Sequence, residues 1–126
     1  AMTAHTLPKS ERLRSLGAVR RLFSDGRSGF VYPFRYMIFT EESASPSVEV
    51  LFSVPKRYHK RANKRNLLRR RTKEAYRLNK EAVTAVATER GKALDMALVY
   101  SVKECVPYKT IENAVRKILQ EVGATL

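Results

Sequence analysis

Carboxylates are scarce where this chain is most charged. Between Lys56 and Lys80 a single acidic residue, Glu74, stands among twelve basic ones. The whole chain carries 25 Lys+Arg against 12 Asp+Glu, which leaves 13 basic and 11 acidic residues elsewhere: about +2 net, against +11 in that one segment. Charge so concentrated presents a cationic surface to a polyanion, and the phosphate backbone of a nucleic acid fits best. Other absences narrow the field. One cysteine, Cys105, cannot form an internal disulfide and fits a reducing compartment, so a cytoplasmic protein is expected. No apolar run approaches the ~20 residues that span a bilayer, and no signal-peptide pattern is seen, so no membrane partner is expected. Internal repeats and low-complexity tracts are missing. The two histidines, His5 and His59, lack a metal-binding spacing, and Cys105 has no nearby mate. Glycine-rich phosphate loops are absent, and Asp25, Glu41 and Glu42 fall at turn positions without forming an acid/base pair. Nothing here points to chemistry or a metal site carried by the polypeptide. His59 reads as a solvated loop residue.

What is present is a folded domain. A chain of 126 residues with 44% hydrophobic content and eleven Phe and Tyr is one domain with a real core. Residues 1–14 read as a partly ordered basic arm. Ser15 caps a helix in which Leu16, Val19, Leu22 and Phe23 recur at helical spacing, and Gly26 ends it. A strand follows from Phe30 to Thr40. Pro33 removes a ladder donor and belongs at a strand start, a bulge or an unpaired edge. Phe30, Tyr32, Phe34 and Tyr36 alternate and are assigned to packing. After a polar loop, Val48 to Val54 forms a second strand, and the pair reads as an antiparallel hairpin ended by Pro55. A helix then runs from about Arg61 to beyond Asn79, with nothing to stop it before Thr88, and Gly91 breaks it. Leu94 to Val102 is an apolar strand, central in the sheet. Pro107 precedes a last helix whose Ile111, Ala114, Val115, Ile118, Leu119 and Val122 form a buried stripe, stopped by Gly123. The order α-β-β-α-β-α, with a short extra strand allowed, predicts an α+β two-layer sandwich of helices on a four-stranded, mostly antiparallel sheet.

The basic helix carries the functional signal. At 100° per residue Arg61, Arg65, Arg69, Lys73 and Arg77 step around one side, with Asn66 and Arg70 in the same arc. Leu67, Leu68, Ala75 and Leu78 lie opposite and can pack on the sheet. Lys64 and Arg71 fall among those apolar positions, with stems on the core edge and heads in water. Like charges at i,i+4 repel and cost helix stability, so a solvated charged face is the weaker reading. Arginine outnumbers lysine there, which suits forked contacts to phosphate oxygens.

The run Lys64-Arg65-Asn66-Leu67-Leu68-Arg69-Arg70-Arg71-Thr72-Lys73-Glu74-Ala75-Tyr76 resembles the RNR motif of the protein subunit of bacterial ribonuclease P. Phe52-Ser53-Val54-Pro55-Lys56-Arg57, Leu22-Phe23-Ser24-Asp25-Gly26 and Ala97-Leu98-Val99-Tyr100 are similar to its flanking segments, so the resemblance covers about residues 12–122. Leu67 departs from it, since many members have a third basic residue there. The resemblance implies a fold like the second domain of ribosomal protein S5, with a left-handed βαβ crossover where about 98% of crossovers are right-handed. It implies binding of the catalytic ribonuclease P RNA and of the 5′ leader of precursor tRNA, assisting Mg²⁺-dependent endonucleolytic 5′ maturation. The Mg²⁺ and the reacting groups would belong mainly to the RNA, and the isolated protein would be a monomer. RNA-binding residues would be Lys56, Arg57, Arg61, Lys64, Arg65, Asn66, Arg69, Arg70, Lys73 and Arg77. A leader cleft between the first helix and the sheet would be lined by Val19, Phe23, Met37 and Phe39, with Arg35 on the same strand face.

Two other classes compete. A structural ribosomal protein would be equally small and basic, without a substrate of its own. A DNA-binding protein would place the helix in a major groove, but no heptad seam calls for the dimer such proteins use, and no DNA partner is expected.

Overall fold

A computed structural model describes residues 12–126 apart from residue 14, so most of the expected arm lies outside the described residues. Helix α1 spans Leu16–Asp25, and the Ser15 hydroxyl accepts from the Ala18 amide at 3.3 Å, the cap foreseen in the sequence. Strands β1 (Arg27–Val31) and β2 (Phe34–Glu42) follow, then β3 (Ser47–Ser53), α2 (Ala62–Asn79), α3 (Glu81–Arg90), β4 (Lys92–Tyr100) and α4 (Tyr108–Thr125).

The single strand expected over Phe30–Thr40 is two antiparallel strands, turning at Tyr32–Pro33. Proline has no N–H to give to a ladder, and pairing stops where it stands. The turn also resets the alternation of the aromatics. Phe34 is buried and Tyr36 half-buried on one face, whereas Phe30 and Tyr32 are exposed, contrary to the packing role assigned to all four.

The hairpin expected between the second and third strands does not form. The sheet order is β1-β2-β4-β3, so β4 sits between them. It pairs antiparallel with β2, from Phe34↔Tyr100 to Glu42↔Lys92, and parallel with β3, from Ser47↔Ala93 to Ser53↔Val99. The reason is burial. Leu94, Met96, Leu98 and Tyr100 are buried on one face of β4 and Asp95 and Ala97 on the other, and only a central position covers both.

A parallel pair needs a crossover, supplied by α2 and α3. The one long helix expected there is two, separated at Lys80. The Asn79 side chain donates to the Ala75 carbonyl at 2.8 Å, a local bond that competes with helix continuation. Gly91 ends α3 in a left-handed conformation (φ 65°), its N–H reaching the Ala87 and Thr88 carbonyls. Helix α4 buries the predicted stripe but does not stop at Gly123. That glycine is buried inside the helix, where a β-carbon would lie 2.6 Å from the Ala82 carbonyl oxygen. Its small size allows α3 and α4 to approach closely.

The three later helices cover one face of the sheet, burying Phe34, Ile38, Val48, Val50, Leu94, Met96, Leu98 and Tyr100 against Leu68, Tyr76, Val83, Ile111 and Ile118. On the opposite face α1 covers only a patch, where Leu13, Leu22 and Ala97 are buried with Val19, Met37, Phe39, Leu51 and Val99 beside them.

Two glycines test this packing. Gly123→Ala should cost about 1–3 kcal/mol through overpacking, read as a lower urea midpoint. Gly17→Ala, in open space on α1, should gain roughly 0.5–1 kcal/mol. Equal effects would mean that α3 yields freely to the added methyl.

Candidate nucleic-acid interface

The face of α2 that meets the sheet is set by Leu68, Thr72, Ala75 and Tyr76, at i, i+4, i+7 and i+8. This turns the helix relative to the expected register. Leu78 is 40% exposed rather than packed, and Tyr76 is fully buried. Arg65 therefore falls beside the buried stripe. Its guanidinium donates to the backbone carbonyls of His59 (3.1 Å) and Lys60 (2.7 Å), tying the loop after β3 to the helix. His59 is buried, not solvated: its Nε2 lies 2.9 Å from the Val102 carbonyl and its ring meets Tyr100 edge-on. Arg71 likewise donates to the Val106 carbonyl at 3.1 Å, so its head is not left to water. Arg77 bonds both carboxylate oxygens of Glu74, which holds that carboxyl below its usual range.

Other predicted cations remain outward. Arg61, Lys64 and Arg70 are exposed, as are Lys56, Arg57 and Asn66. Arg69 and Lys73 are half-buried, and Arg69 donates to the Asn66 side-chain oxygen at 3.3 Å. Among the described residues none of these cations has a carboxylate partner. Arg69 and Lys73 converge with Arg12 on a cleft of about 130 Å³ floored by Leu13, Val50, Leu51 and Phe52. Arg12 was missed in the sequence; it is placed by a parallel bridge to Val50, with the Leu13 amide bonded to the Val50 carbonyl at 3.0 Å. Burial lowers the Lys73 ammonium from its ordinary value, and Arg12 and Arg69 add to the effect. An anion seated there would offset the mutual repulsion of these cations.

The second surface lies on the sheet face that α1 leaves open. Phe23 on α1, Arg35 and Met37 on β2, Arg57 after β3, and Val99 and Ser101 at the end of β4 line a cleft of about 280 Å³. Phe23 is 47% exposed, so its ring faces solvent at this cleft beside Arg35 and Arg57. Arg57 was grouped with the helix cations, yet the chain returning from β3 puts it at this cleft, with its guanidinium 5.0 Å from the Tyr58 ring centroid. The loop holding Lys56 and Arg57 thus connects the cleft with the start of α2.

The four residues expected to line the cleft divide. Phe23 and Met37 do so. Val19 and Phe39 pack in the patch beneath α1, where the Arg21 guanidinium stands 4.4 Å over the Phe39 ring. Arg21 in turn reaches Asp95 (3.3 Å) and Glu41 (3.5 Å). Burial pushes the Asp95 carboxyl up, and the bond from Arg21 opposes that shift. Among the described residues no three His, Cys, Asp or Glu side chains gather to hold a metal, and Cys105 is exposed and unpaired.

A family model described as Ribonuclease P matches residues 7–123. The ribonuclease P protein component of Porphyromonas gingivalis is 35% identical over 122 residues, covering 95% of this chain and 88% of that protein. Its counterpart in Chlorobaculum tepidum is 38% identical over 97 residues, 70% of this chain and 60% of the other. Among solved structures, the RNase P protein of Thermotoga maritima superposes with a TM-score of 0.69 at 21% identity, covering 88% and 96% of the two chains. That of Staphylococcus aureus gives 0.67 at 17% identity over 90% and 96%. At such identities the structures speak for the shared fold.

The division of the arginines has a stability consequence. Arg65→Ala should lower unfolding stability by about 1.5 kcal/mol, the value of hydrogen bonds made by a charged group. Arg70→Ala, at an exposed site, should stay within about 0.5 kcal/mol of the parent. Denaturant midpoints of the two variants decide it; equal midpoints would show that Arg65 does not anchor the loop.

Proposed function

The chain belongs to the ribonuclease P protein family, and from that premise we propose that it is the RNA-binding subunit of a ribonuclease P ribonucleoprotein. In this reading it binds the catalytic RNA and the 5′ leader of precursor tRNA, and assists Mg²⁺-dependent removal of that leader. The observation that carries the reading is the cleft walled by Phe23 and Met37 with Arg35 and Arg57 beside them. A single strand offers a stackable face at every base and a phosphate between bases, and this cleft supplies aromatic and cationic partners together.

Arg61 at the N-cap of α2 and the helix cations Lys64, Arg69, Arg70 and Lys73, with Arg12, face the folded catalytic RNA. Lys56 and Arg57 lie where the two RNAs meet. Arg65 acts chiefly by holding the loop that presents them. Asn66 steers Arg69. The reading assigns Mg²⁺ mainly to the RNA, whose phosphate oxygens are the hard ligands this ion prefers. The polypeptide contributes affinity and charge neutralisation; the RNA supplies the hydrolytic groups. The free protein is a monomer, since its net charge of +13 opposes self-association, and it works in the cytoplasm with its RNA partners.

Reconstitution tests this directly. Added to bacterial ribonuclease P RNA and precursor tRNA at low Mg²⁺, the protein should accelerate leader release. No stimulation would overturn the reading, and cleavage by the protein alone would overturn the assignment of the chemistry to RNA. Arg69→Ala and Arg70→Ala should each weaken affinity for the catalytic RNA and flatten the log K against log[salt] slope by about 0.7–0.9. Phe23→Ala should weaken binding of precursor more than of mature tRNA, which lacks the strand. Equal losses would remove the leader from the cleft.

A further inference from the structure

The open part of the sheet face extends past the cleft onto β1. The register pairs Ser28 with Met37 and Phe30 with Arg35, so Ser28 and Phe30 share the face that carries the cleft's β2 residues. Strand β1 is the edge of the sheet. Phe30 is 58% exposed, more than Phe23. Directly paired side chains on neighbouring strands stand about 5 Å apart at their β-carbons, so Phe30 and Arg35 are immediate neighbours.

The two directions out of the cleft are chemically unlike. Along β2, about 13 Å from Arg35, Phe39 lies under the Arg21 guanidinium. Asp95 and Glu41 flank that guanidinium and would repel a phosphate. Across to β1, the aromatic ring is uncovered and its paired neighbour is a cation. Among the described residues Arg35 has no carboxylate partner either.

We propose that Phe30 is a second stacking platform for the single strand, taking a base beyond the one on Phe23, with Arg35 contacting the phosphate between them. This rests on the reading of the cleft as a single-strand site and fixes the side on which the strand leaves it. A lone exposed phenylalanine on a sheet edge is otherwise a liability for self-association. Here a polyanion passing over Arg35 gives it an occupant.

The test uses the full chain and fluorescently labelled single-stranded RNA of graded length. Phe30→Ala should lower affinity at least about fivefold for longer strands, the effect of one lost stacking contact. The shortest strands that respond to Phe23→Ala should ignore it. Because the chain has no tryptophan, Phe30→Trp places a unique fluorophore on the platform. Its emission should be quenched by added strand and shielded from acrylamide. If Phe23→Ala weakens binding while Phe30→Ala matches the parent at every length, or the tryptophan stays unquenched, the second platform is overturned and the cleft stands. If the parent protein binds no single strand, the cleft reading fails and this proposal fails with it.

Discussion

Insertion of β4 between β2 and β3 decides where everything else goes. It makes the β3–β4 pair parallel, and a parallel pair cannot be closed by a short turn. The chain must cross over, and the crossover is the basic helix with its continuation α3. Both helices, joined by α4, then cover one face of the sheet. The other face is left to a ten-residue helix, which covers only part of it. The cationic helix and the open cleft are therefore two results of one topological choice. The loop that starts the crossover, with Lys56 and Arg57, is where they adjoin.

The elements of this fold were largely legible in the sequence, because helix caps, breakers and apolar periodicity act locally. Ser15, Gly91 and the α4 stripe did what their residue types dictate. Pairing was not legible. Which strand lies beside β3 depends on burial of both faces of β4, whose paired residues lie 46 positions further along the chain (Ser47↔Ala93), and no local signal encodes it. The break at Pro33 was visible as a lost donor, but its effect on facing was not. A two-residue turn there reverses the chain, so Phe30 ends on the opposite face from Phe34.

The candidate site shows the same limit. Composition located the cations, and the helical wheel located an arc. It could not tell which arginines serve the fold, since that depends on carbonyls delivered by distant loops. Arg65 is claimed by His59 and Lys60, and Arg71 by Val106, a residue 35 positions on. Arg12 carried no signal at all until its bridge to Val50 placed it opposite Lys73.

The cations left outward set a balance between stability and binding. Like-charge pairs one helical turn apart cost about 0.2–0.5 kcal/mol each, and α2 carries several, such as Arg65/Arg69 and Arg69/Lys73. A domain of this size is stable by only ~5–15 kcal/mol, so a cost of one or two is a sizeable share. The fold offsets some of it internally. Arg65 and Arg71 spend their charge on backbone carbonyls, and Arg77 on Glu74, where a phosphate is not needed. Among the described residues of the helix and its N-cap, Arg61, Lys64, Arg69, Arg70 and Lys73 are left without a carboxylate partner. A ligand that binds only the folded chain stabilises it by its own binding free energy, and a polyanion on these side chains removes the repulsion as it binds. The strain of unpaired charge is thus stored on the surface where a partner can release it, while the arginines turned inward keep that surface in shape.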